Sequence, residues 1–115
     1  MNPSYPTPIH LDTLAVIEAA RAAHAYGLLT AQAPDPVNRR CSYEYAGRVC
    51  AIGAAVPEKA LDREGRVATL IRNGTFEGNA RELGAIQNAH DDWVTGIIDE
   101  TAFLRTLSEV GGRHG

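Results

Sequence analysis

The apolar positions of this chain recur at helical spacing, then alternate, then return to helical spacing, and each change of period marks an element. Leu14, Ile17 and the alanines between Ala19 and Ala25 fit a helix over about 13–25. Asp12 stands ahead of it as an N-cap and Gly27 behind it as a left-handed stop. Upstream, Pro3, Pro6 and Pro8 leave no periodicity, so residues 1–9 read as an extended arm. Downstream, Pro34, Asp35, Pro36 and Asn38 make 30–40 a loop.

Alternation begins at Cys41. Cys41, Tyr43 and Tyr45 share one face of a strand and Ser42 and Glu44 the other, with Ala46-Gly47 as a hairpin turn. A two-residue turn places Tyr45 opposite Arg48, Tyr43 opposite Cys50 and Cys41 opposite Ile52. Cys41 and Cys50 are then diagonal neighbours, about 7–8 Å apart at Cα, which exceeds the usual disulfide span. Ala51 to Val56 is small and apolar on every side, the pattern of a short buried helix starting directly after Cys50 and ended by Pro57.

Helical spacing then returns. Arg63 to Arg72 forms a weakly amphipathic helix on Val67, Leu70 and Ile71, closed by Asn73-Gly74. Asn79 with Glu82 three residues on resembles a capping box, and the helix after it carries Leu83, Ile86, Gln87, His90 and Trp93 on one stripe. Asp99 caps a last helix on Phe103, Leu104, Leu107 and Val110, with Gly111-Gly112 as its stop. The expected architecture is α+β: one helix-dominated domain over 10–112 with a small β-hairpin.

Composition narrows the function. A chain of 115 residues that is 44% hydrophobic and 22% charged suits one soluble domain. A net charge of −3 opposes binding to nucleic acid or to anionic membranes, both of which need a basic surface. No stretch approaches the apolar length of a membrane span, and the N-terminus lacks a basic region followed by an apolar one. The expected compartment is the cytoplasm, where both cysteines stay thiols. No cofactor is implied. Lys59 is the sole lysine among abundant arginine and alanine, a hint of a GC-rich bacterial or phage genome.

Three features could carry chemistry. Cys50 at a helix N-terminus would be favoured as thiolate by the dipole and the unpaired N–H groups. Its apolar neighbours Val49, Ala51 and Ile52 act the other way, so a packed thiol is the preferred reading. Gln87 and His90 are polar yet sit on the core-facing stripe, which implies a buried hydrogen-bond network or a site. Asp91 and Asp92 place negative charge at the negative end of that helix, so a cation, a side chain such as Arg48, or a capping role should compensate. Combined, Cys50 as nucleophile, His90 as base and Asp91 or Asn88 as orienting group would make a thiol-catalysis triad. Cys41, Cys50, His90 and Asp91 offer a metal alternative, but their spacing is not that of a zinc knuckle, and no metal site is assigned. Arg39, Arg40 and Arg48 beside Tyr43 and Tyr45 have the composition of a protein-binding hot spot, an anion site or a nucleic-acid contact, the last disfavoured by the net negative charge.

Cys41-x-Tyr43, Gly47, Cys50-Ala-Ile-Gly53, Pro57-Glu58 and Ile86-Gln87-x-Ala89-His90-Asp91 together resemble a family of small uncharacterised phage and bacterial proteins. Members carry a Cys-x-Tyr…Gly…Cys-Ala-Ile-Gly segment, a Pro-Asp-Glu after it, and a late Leu-Gln-x-x-His-Asp. The likeness spans roughly residues 38–110. Ile86 replaces the usual leucine, and Glu58-Lys59-Ala60 stands where an acidic pair is common. The resemblance implies a source and no mechanism. The expected function is that of a small cytoplasmic accessory protein of phage or mobile-element type that binds another protein, for instance to inhibit a host enzyme. The alternatives are a cysteine-dependent hydrolase or transferase using Cys50 and His90, and a small metal-binding module.

Overall fold

The computed structural model describes residues 8–29, 51–56 and 67–114, with the backbone alone at 44–45 and 48–49. Strand β1 (Ile9–Leu11) leads through Asp12 into helix α1 (Thr13–Ala25). Strands β2 (Glu44–Tyr45) and β3 (Arg48–Val49) form the hairpin, and a 3₁₀ turn follows at Gly53–Ala55. Helix α2 (Val67–Arg72) precedes strand β4 (Phe76–Gly78), which leads through Asn79 into helix α3 (Ala80–Val94). Helix α4 (Glu100–Arg113) completes the order. Among the described residues no helix is long and apolar enough to cross a membrane.

Helix boundaries follow local chemistry. Asp12, Asn79 and Asp99 each accept the third amide of their helix, at 3.0, 2.9 and 2.8 Å. Each cap contributes about 1 kcal/mol by satisfying an N–H that has no partner inside the helix. α1 stops in a Schellman turn, with Leu28 N–H donating to Ala23 at 2.8 Å and Gly27 N–H to His24 at 3.0 Å. That turn needs a left-handed residue, and Gly27 has φ +70°.

The hairpin has the register expected of a two-residue turn: Glu44 pairs with Val49 and Tyr45 with Arg48. The further facing pairs rest on Cys41, Tyr43 and Cys50, which lie outside the described residues. The rest of the sheet structure departs from the sequence reading. Residue 9 is no arm: β1 pairs in parallel with β4, placing Ile9 opposite Phe76, His10 opposite Glu77 and Leu11 opposite Gly78. The two strands each run through one capping residue into a helix, so α1 and α3 start side by side. Thr13 Oγ1 joins those starts by donating to Glu82 Oε1 at 2.7 Å.

Two further expectations are corrected. No α-helix opens at Ala51: among the described residues 51–56 the helical turn is the 3₁₀ turn at Gly53–Ala55, and Ile52 precedes it without a side-chain cap. One 3₁₀ turn aligns too few peptide dipoles to hold a thiolate. α4 also does not stop at Gly111-Gly112 but runs to Arg113. Glycine in a helix costs about 1 kcal/mol against alanine, and tertiary contacts offset it here. A Cβ on Gly111 would lie 3.4 Å from Ile17 Cδ1, so the bare backbone lets α1 approach closely, while His114 anchors the tail to Glu82 at 2.8 Å.

One apolar cluster joins β1, α1, the 3₁₀ turn, α2, β4, α3 and α4. Phe76, Leu83, Ile86, Phe103, Leu107, Ile52 and Val16 are its largest fully buried aliphatic and aromatic members. α4 lies along α3 and α1, α2 packs on α3, and the 3₁₀ turn packs on α1.

Candidate functional site

Asn79 sets the phase of α3, and that phase turns Leu83, Ile86, Gln87, Ala89 and His90 inward. Gln87 is polar for a structural reason. Its Oε1 accepts the N–H of Val67 at 2.8 Å, in the buried interior. Val67 is the first residue of α2, so its amide has no partner within that helix. A side chain from α3 therefore caps α2, and the two helices are held in register.

His90 is 0% exposed. Its ring meets Trp93 edge-on at 5.9 Å and 85°, and Phe103 at 5.9 Å and 74°. Trp93 and Phe103 stack at 5.0 Å and 14°. Such pairs contribute about 0.5–1.5 kcal/mol each beyond the area they bury. The cluster extends to α1, where His24 tilts against Trp93 at 6.0 Å and donates through Nε2 to Glu100 Oε2 at 2.6 Å. His24 and Glu100 carry no signal in the sequence pattern, because 76 residues separate them.

Asp91 follows His90, its Oδ1 standing 4.0 Å from the imidazole Nδ1. At that separation a carboxylate acts through its field and not as a hydrogen-bond acceptor. Asn88 is exposed. Neither Asp91 nor Asp92 starts a new turn, since α3 continues to Val94. Their backbone carbonyls do the work instead: Thr95 Oγ1 donates to Asp91 O at 2.9 Å and Ile97 N–H to Asp92 O at 2.8 Å. Gly96, at φ +82°, allows this closure. Cys41, Cys50, Arg39, Arg40 and Tyr43 lie outside the described residues, and Tyr45 and Arg48 are placed as cross-strand partners. Among the described residues no three His, Cys, Asp or Glu side chains gather as metal ligands would.

A second constellation lies where α3 begins and α4 ends. Glu82 Oε1 accepts from both Thr13 Oγ1 at 2.7 Å and His114 Nδ1 at 2.8 Å. The capping-box signal thus located the helix start, but the Glu82 side chain turns to α1 and the C-terminus instead of to its own cap. These bonds, that of His114 foremost, hold the Glu82 carboxyl below the usual carboxylate range. A carboxyl whose folded pKa lies below its unfolded value stabilises above about pH 4.3, and that stability drains as pH falls through the folded value. Glu82→Gln should therefore flatten the acid limb of stability against pH, read by circular dichroism. The two curves should separate at pH 6 and converge below both pKa values; parallel curves would contradict this. Beside the carboxylate is an open groove of about 370 Å³ lined by Asn79, Arg81, Glu82, Ala85, Val110 and Arg113.

Comparison with protein-family models, with curated proteins and with solved structures found no match for this chain.

Proposed function

We propose that this protein works by binding a protein partner, as a small cytoplasmic accessory protein of phage or mobile-element type. The observation that carries this reading is the apolar end of the molecule. His24 touches both Trp93 and Glu100, so the end of α1 and the α3–α4 turn lie together. At that end Tyr26 is 81% exposed and Ile97 72%, with Leu28 also in solvent. Large apolar side chains gathered at one end suit a contact whose energy comes from a few anchors. The Arg39, Arg40, Tyr43, Tyr45 and Arg48 segment supplies side chains of the same anchoring kind. A host enzyme held inactive is one form the partner could take.

The thiol-enzyme alternative needs a base within reach of a substrate. His90, 0% exposed between two aromatic rings, does not offer one. A Tyr26→Ser, Ile97→Ser double variant tests the binding reading. Surface changes of this kind should leave stability within about 0.5 kcal/mol. Capture of a host protein by the immobilised chain should fall about tenfold or more. Equal capture by the double variant, or rapid alkylation of Cys50 in the folded protein, would count against it.

A further inference from the structure

We infer that the groove between the start of α3 and the end of α4 binds a small organic oxyanion, a phosphate or carboxylate carried on a short apolar group. The two helices are antiparallel neighbours and build the groove alike. α3 contributes Arg81 and, one turn on, Ala85; α4 contributes Arg113 and, one turn back, Val110. The lining thus carries two exposed arginines beside the apolar Ala85 and Val110. Among the described residues neither Arg81 nor Arg113 is within ion-pair distance of a carboxylate.

Glu82 is the one acidic side chain of the lining, and it is engaged by Thr13 at the start of α1 and by His114 at the end of α4. Two guanidiniums against one carboxylate leave the lining positive on a chain of net charge −3. The first-turn N–H groups of α3 and the last-turn carbonyls of α4 meet there with opposite partial charges, so the two arginines set the sign. Paired guanidiniums match the planar or tetrahedral oxygens of carboxylate and phosphate, where each can give two parallel hydrogen bonds. A volume of about 370 Å³ lies at the small end of ligand sites, which run from about 300 to 1,000 Å³, and so suits a small molecule.

The test is an amide NMR titration of the full chain with phenyl phosphate, benzoate and inorganic phosphate. Saturable shifts at Arg81, Ala85 and Arg113 are expected with phenyl phosphate, benzoate or both, and the tighter of the two identifies the head group. Inorganic phosphate, lacking an apolar part, should bind more weakly. Arg81→Gln and Arg113→Gln should each weaken binding about tenfold, the scale of one charge-assisted hydrogen bond, with an unchanged thermal midpoint. Ala85→Leu should block the groove while keeping both charges. No saturation by either aromatic probe at about 10 mM, a concentration well above a millimolar Kd, would overturn the inference. So would full affinity in the Arg81→Gln, Arg113→Gln double variant.

Discussion

Phe103→Ala is expected to remove about 4 kcal/mol of stability, the usual scale for truncating a buried aromatic ring. Phe103 is 0% exposed, stacks on Trp93 and receives the edge of His90. Its loss leaves a cavity between α3 and α4, and closing it would work against the ties of α4 to α1 at its start and to α3 at its end. His24–Glu100 holds the first end and His114–Glu82 the second. Small domains are stable by only about 5–15 kcal/mol, so urea unfolding should show a large fall in midpoint. Trp93 is the single tryptophan and reports the change directly through a red-shifted emission in the folded baseline. Phe103→Leu keeps most of the volume and should lose less than half as much. A loss below about 1 kcal/mol for the alanine variant would mean that the ring is not packed as described.

Gly78→Ala is expected to destabilise by about 3 kcal/mol, the upper part of the range for overpacking. A Cβ there would lie 2.6 Å from the Leu11 carbonyl oxygen and 2.8 Å from Leu83 Cδ1. The leucine can rotate, but the carbonyl is backbone in the paired strand. Accommodation therefore means pulling β1 away from β4. Hydrogen exchange should show β1 and β4 opening before α3, whose own ladder is untouched. Gly84→Ala is the internal comparison: nothing lies within 4 Å of that Cβ, and the change should be neutral or stabilising. A Gly78→Ala protein as stable as the wild type would refute the β1–β4 pairing.

What the sequence discloses and what it hides divide by distance along the chain. Asp12, Gly27, Asn79 and Asp99 act within four residues of themselves, so helix starts and stops could be read residue by residue. The hairpin register was legible for the same reason, since Ala46-Gly47 joins strands that are already neighbours. β1 and β4 are three residues each and pair across 67 positions; nothing in Ile9-His10-Leu11 or Phe76-Glu77-Gly78 announces the partner. Gly111-Gly112 carries a true local stop signal, overridden by the contact with α1. Glu82 sits at the right place for a capping box, yet Thr13 and His114 compete successfully for its oxygen.

The candidate site was legible in the same partial way. The α3 stripe correctly turned Gln87 and His90 inward, and a buried polar group does imply a partner. For Gln87 that partner is the first amide of α2, an architectural role that residue type alone does not distinguish from catalysis. For His90 the packing rings are Trp93, from the same stripe, and Phe103, from the next helix. The groove of Arg81 and Arg113 escaped notice because its two halves come from antiparallel helices and meet only in the folded chain.

The central claim is that the imidazole of His90 is a packed core group and not an accessible base. Diethyl pyrocarbonate modification of the folded protein, mapped by mass spectrometry, tests it most directly. His10, in solvent, should be carbethoxylated readily, while His90 stays unmodified until denaturant is added. Modification of His90 in the folded protein at a rate comparable to that of His10 would contradict the account and return it to the reactive site.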